Sequence, residues 1–107
     1  MMKYQFSHIG IPTTEEKDWD GFYEAGKIHY TEFDKDEFGV EWIKFDADSP
    51  MPEMMQKLPH VAYLVENIEE ALENKRILVE TFSPAEGVRV AFINHNGSPV
   101  EFMELSN

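Results

Sequence analysis

Val40-Glu41-Trp42-Ile43-Lys44-Phe45 and Val100-Glu101-Phe102-Met103-Glu104-Leu105 follow one pattern: valine, glutamate, aromatic, aliphatic or methionine, charged, apolar. Both alternate with the period of two that marks a half-buried strand. In each, the glutamate shares a side with apolar residues, Ile43 and Phe45 in one and Met103 and Leu105 in the other, while Val40, Trp42, Val100 and Phe102 point oppositely. A carboxylate in an apolar row is costly to bury alone. Two at matching places require an edge strand, a salt bridge or a bound cation.

Outward from these strands the chain reads as two halves with the same order. Each half opens on a strand carrying a histidine, Phe6-Ser7-His8-Ile9-Gly10-Ile11 and Leu58-Pro59-His60-Val61-Ala62-Tyr63. His8 alternates with Phe6, and His60 with Ala62 and Leu64, so both imidazoles fall in apolar rows. In the first half, Thr13 and Glu16 make a capping box, Trp19, Phe22 and Tyr23 share a helical face, and Gly26 and Lys27 end that helix. Ile28 to Phe33 and Val40 to Phe45 then read as paired strands.

In the second half, the strand from His60 to Val65 leads to a helix with Asn67 as N-cap. Ile68, Ala71 and Leu72 form its buried stripe, and Lys75 and Arg76 suit its C-terminal end. Strands follow at Ile77 to Phe82, Val88 to Ile93 and Val100 to Leu105, with turn chemistry at Pro84 to Gly87 and Asn94 to Gly97. The proline-bearing stretch from Asp46 to Pro59, pinned by Met51, Met54, Met55 and Leu58, connects the halves. The expectation is a single domain over residues 1–107: module one at about 1–46, a linker at 47–58, and module two at about 59–107. One other register is open: matching Gly39-Val40 to Gly87-Val88 would set Glu41 against Arg89 and remove the first half's last strand.

Two imidazoles and two carboxylates, His8, Glu41, His60 and Glu101, make a donor set for a divalent ion of the zinc, nickel, cobalt, iron or manganese group. With no cysteine in the chain, a metal has only His and carboxylate to sit on. Taken alone, a histidine at a strand start is usually solvated or hydrogen-bonded, and a strand glutamate often pairs with a lysine or arginine. Recurrence of the same pair in both halves is what favours a shared cation. His29 has no counterpart in the other half, and His95 sits in an Asn-rich turn, where hydrogen bonding or plain solvation explains it better.

Charge and motif content exclude other classes. Nine basic against twenty-one acidic residues give a net charge of −12, which repels phosphate backbones and anionic membranes, so no nucleic-acid or membrane partner is expected. No segment approaches the roughly 20 apolar residues of a membrane span, and the N-terminal stretch lacks a signal-peptide core, so a cytoplasmic location is expected. A phosphate-cradling glycine loop, a serine elbow and a His-Glu-x-x-His helix are all missing from the sequence.

The stretches FSHIGIPT, GVEWIKF, LPHVAYLVENIEEAL and NGSPVEFMEL resemble the glyoxalase, bleomycin-resistance and dioxygenase-like group of the vicinal oxygen chelate superfamily, over essentially the whole chain. That resemblance implies an α+β fold in which paired βαβββ modules form a curved mixed sheet, a glyoxalase-like cup, with the first module abbreviated to two strands after its helix. It implies metal ligands on the first and last strands of each module, here His8, Glu41, His60 and Glu101. The activity implied is that of a metal-dependent lyase, isomerase or epimerase acting on a small oxygen-rich substrate chelated through vicinal oxygens, with Glu101 or Glu41 moving a proton. The alternative is a metal-free drug- or metabolite-binding cup, its ligand held against Phe6, Trp42, Phe45, Phe92, Phe102 and Met103. A third reading is a ring-cleaving dioxygenase with two histidines and one carboxylate on iron. The resemblance further implies a homodimer, for which exposed Met51, Met54 and Met55 are the candidate contact.

Overall fold

The computed structural model describes residues 3–106. The first half contributes β1 (Gln5–Pro12), β2 (Gly21–Tyr23), β3 (Ile28–Tyr30) and β4 (Val40–Phe45), with one 3-10 turn at Phe33–Lys35. A short helix α1 (Glu53–Lys57) precedes the second half: β5 (His60–Leu64), α2 (Ile68–Leu72), β6 (Ile77–Ala85), β7 (Val88–His95) and β8 (Ser98–Leu105). All eight strands belong to one mixed sheet in the order β2-β3-β4-β1-β5-β8-β7-β6.

The register carries the repeat down to individual residues. β1 runs parallel to β4 with Ile9 opposite Val40, Gly10 opposite Glu41 and Ile11 opposite Trp42. β5 runs parallel to β8 with Val61 opposite Val100, Ala62 opposite Glu101 and Tyr63 opposite Phe102. Glu41 and Glu101 therefore occupy equivalent places, and the register that would set Glu41 against Arg89 does not occur. β1 and β5 pair antiparallel at the centre, His8 opposite Ala62 and Gly10 opposite His60, which relates the halves by a local twofold.

The ends of the sheet curl toward each other. β2 and β6 are its two edge strands, yet the rings of Tyr23 on β2 and Phe82 on β6 stack at 5.3 Å and 21°. The result is a nearly closed cup with two apolar clusters. Inside it, Ala62, Val90, Phe92 and Met103 pack with Met55 of α1. Outside, Val65, Ala91, Ile93 and Phe102 pack under Ile68 and Ala71 of α2. That helix starts as the sequence indicates, the Asn67 side chain accepting from the Glu70 backbone N–H at 2.8 Å. It is only five residues long, so Lys75 and Arg76 fall beyond its end.

The first half corrects the sequence reading. No helix follows β1: Thr13 accepts from Glu15 N–H in a local turn instead of capping a helix, and Phe22 and Tyr23 lie in β2. Two tertiary demands override the helical spacing. Gly21 lies beneath the ring of Tyr30, where any side chain would collide, and Lys27 takes a left-handed φ of 53° to turn the β2–β3 hairpin. Three strands, β2 to β4, follow β1, where the sequence reading expected two after a helix. β3 stops at Tyr30, and Phe33 belongs to the 3-10 turn. The connection contains α1, whose Met55 is 2% exposed, and Met51 is half-buried beside it. Both methionines line the inside of the cup. No helix of the described residues is long and apolar enough to cross a membrane.

Candidate metal centre

His8, His60 and Glu101 meet on the inner face of the cup, each offering one ligand atom within 4.8 Å of the others, and all three are buried. The Glu101 carboxylate lies 3.1 Å from Nε2 of His60 and 3.5 Å from Nε2 of His8. These contacts lack hydrogen-bond geometry, so Nε2 of both rings and Nδ1 of His60 are buried with no hydrogen-bond partner among the described residues. Buried ring nitrogens without partners are costly. An ion accepting their lone pairs removes that cost, so the donor set fits a divalent metal.

Local sequence explains the convergence. The residue two places after each histidine is small, Gly10 after His8 and Ala62 after His60, and each sits opposite the other half's histidine. The imidazole of His60 occupies the space over Gly10, where an added Cβ would come within 2.5 Å of Nε2. A small residue two places after each histidine is the sequence signal of this packing. Phe33 was missed by the sequence reading: its ring stacks on His8 at 4.0 Å and 11°. Ser7 Oγ stands 3.0 Å from His8 Nδ1. If Nδ1 carries the proton and donates it to Ser7, Nε2 is left as the free acceptor.

Glu41 lies beside this group and outside it. Its carboxylate is 3.7 Å from His8 Nε2, and its side chain is 20% exposed against 9% for Glu101. Burial, reinforced by the charge of Glu101, pushes Glu41 up to about 7. Burial acts the same way on Glu101, but the two adjacent imidazoles more than reverse it and hold Glu101 down to about 2. The site thus has one carboxylate kept ionised and one poised to exchange a proton near neutrality.

A cavity of about 270 Å³ opens from these residues. Met51, Met55, Phe82, Val90, Phe92 and Met103 are among its walls. Of the residues expected to hold an apolar ligand, Phe45, Phe92 and Met103 line it. Trp42 and Phe102 lie on strand positions facing away, Phe102 in the outer cluster. A register shift between Phe6 and His8 takes Phe6 out of the histidine's row, and it is 53% exposed. His29 is bound to Asp46 at 2.8 Å, and His95 is exposed at the end of β7.

No family model matches this chain, and no curated protein matches it. Its fold is similar to that of a solved structure titled hypothetical protein BH1468 from Bacillus halodurans C-125, at 22% identity and a TM-score of 0.65, over 97% of this chain and 96% of that one. A likeness at that identity concerns the fold alone.

Proposed function

We propose that the protein is a metal-dependent lyase, isomerase or epimerase of the vicinal oxygen chelate type. In this reading the two halves are copies of one βαβββ module, the first with its helix replaced by the irregular segment 13–20. The matched registers Gly10–Glu41 and Ala62–Glu101 support this. The observation that carries the function is the set of unpartnered imidazole nitrogens beside a buried carboxylate in the wall of a cavity.

His8, His60 and Glu101 would hold the ion. When bound, it supplies Lewis-acid polarisation of a substrate oxygen. Ser7 and Phe33 fix the orientation of His8, and Gly10 and Phe92 fix that of His60, whose ring meets Phe92 edge-on at 5.1 Å. Glu41 is the group that takes and returns a proton at the carbon next to that oxygen, because its carboxylate lines the cavity 3.7 Å from His8 Nε2. Glu101, low and buried, stays a ligand. The apolar walls exclude water from the reacting carbon.

Metal analysis tests the reading. Protein equilibrated with zinc, cobalt or manganese and then desalted is expected to retain about one ion per chain, and His60→Ala or Glu101→Ala to lose it. Wild-type protein that emerges metal-free from all three sinks the enzyme reading. It would leave the second one, a metal-free binding cup, which the mostly apolar wall of the cavity favours.

A further inference from the structure

The chain carries nine basic residues, and none of them lines the cavity. Six are committed to carboxylates elsewhere: Lys17 to Glu15, Lys27 to Asp48, Lys35 to Asp20, Lys44 to Glu16, Lys57 to Glu53, and Arg89 to Glu69 and Glu104. On β7 the alternation is plain, with Val88, Val90 and Phe92 lining the cavity and Arg89 turned to the other face. The charged side chains that do line it, apart from the histidines, are the acids Glu32, Glu41 and Glu101. Two tyrosines, Tyr23 and Tyr30, complete its polar inventory.

A phosphate, sulfonate or carboxylate on the body of a ligand would enter a mostly apolar space with no basic side chain to meet it and acids already there. The body must instead match thioethers, aromatic rings and branched alkyl groups. Size sets a second limit: about 270 Å³ lies at the small end of ligand pockets. A chelating head is accepted at one point only, beside His8 and His60.

From this we infer that the cavity selects a small molecule with an uncharged, apolar or aromatic body, whose oxygen donors are confined to the end facing His8 and His60. The statement about the head rests on the metal reading above, and the statement about the body does not. A nucleotide, a phosphate or a charged peptide carried on the body is disfavoured inside the cavity. This restricts "oxygen-rich" to one end of the molecule.

Two matched pairs of probes test it. N-phenyl-1-naphthylamine and its sulfonate, 1-anilinonaphthalene-8-sulfonate, share one skeleton and differ by a fixed negative charge, and both are titrated by fluorescence into metal-free protein. The neutral probe is expected to bind at least tenfold more tightly. It should shift the ¹³C-methyl resonances of Met51, Met55 and Met103, which line the cavity, and leave Met54 unmoved. Ala85→Lys, at an exposed rim position, is expected to narrow the gap by strengthening the sulfonate. Equal binding of the two probes, no binding of the neutral one, or binding that leaves those three methyls unshifted overturns the inference about the body. For the head, benzohydroxamate and 4-carboxybenzohydroxamate are titrated into cobalt-loaded protein and followed by the cobalt visible bands. The uncharged body is expected to win tenfold, and parity or reversal counts against the inference. A protein that takes up no cobalt removes the metal reading and with it the head, while the naphthylamine pair still decides the body.

Discussion

The imidazole of His60 rests on the bare α-carbon of Gly10, its counterpart being His8 opposite Ala62. The ring's position is set by what the neighbouring strand lacks. Gly10→Ala is therefore expected to push His60 off the site: cobalt affinity should fall at least tenfold, and overpacking should cost about 1–3 kcal/mol of stability. Ala62→Gly removes bulk instead, and should cost about 1 kcal/mol with cobalt binding kept. Cobalt titration and urea denaturation of the two variants check this, and a Gly10→Ala protein with unchanged affinity would contradict it.

Glu41 makes the metal-free protein's stability depend on pH. Its folded value of about 7 stands above the ordinary 4.5, so between those values the folded state binds more protons than the unfolded one. Stability then falls as pH rises through that window, by up to about 3 kcal/mol. Glu101, held near 2, acts oppositely: what it contributes is present above 4.5 and is lost as pH falls toward 2. Urea denaturation in EDTA at pH 5 and pH 8 should show the higher midpoint at pH 5, and Glu41→Gln should flatten that difference. A bound divalent ion favours ionised Glu41, so metal uptake near pH 6 should release a proton that Glu41→Gln does not release.

Much of the second half was legible because its signals are local: the Asn67 cap, the Ile68 and Ala71 stripe and the Asn96-Gly97 turn, where both residues take positive φ. Glu101 was legible because a carboxylate in an apolar row is costly whatever surrounds it. The first half misled because Trp19, Phe22 and Tyr23 keep helical spacing, while their conformation is set by partners far along the chain. Tyr30 covers Gly21, and Asp20 accepts from the Glu32 N–H at 2.7 Å. The stacking of Phe33 on His8 was illegible because Phe33 read as the end of a strand, whereas the chain leaves β3 at Tyr30 and turns at Phe33–Lys35. Glu41 was read by repeat with Glu101, its strand position obeys that repeat, and its carboxylate lies 3.7 Å from His8 Nε2, beside the group of His8, His60 and Glu101.

Phe33 is expected to act on His8 through packing alone. Its loop is fixed by the Asp20 carboxylate, which also meets Lys35, and the acceptance from Glu32 N–H is the main cause holding Asp20 below its ordinary range. Phe33→Ala should cost about 1–2 kcal/mol, the scale of a half-buried aromatic, and speed metal release. Phe33→Leu should recover most of both. Stopped-flow transfer of cobalt to a chelator measures the release rate, and an unchanged rate in Phe33→Ala would mean that the ring does not position the ligand.

The cup has no hydrogen bonds between its edges, since β2 and β6 stand at opposite ends of the strand order. The Tyr23–Phe82 stack bridges them, and both rings line the cavity. An aromatic pair of this kind contributes about 0.5–1.5 kcal/mol beyond its burial, enough to keep a three-residue edge strand closed but not to lock it. Phe82→Ala should therefore raise amide exchange in β2 and β3 severalfold while leaving β5, β7 and β8 protected, because their ladders do not involve the seam. Binding of N-phenyl-1-naphthylamine should weaken in the same variant, and cobalt affinity should not, since the three ligand atoms sit on β1, β5 and β8 at the centre of the sheet. Equal acceleration of exchange across all eight strands would instead make the stack part of the global core.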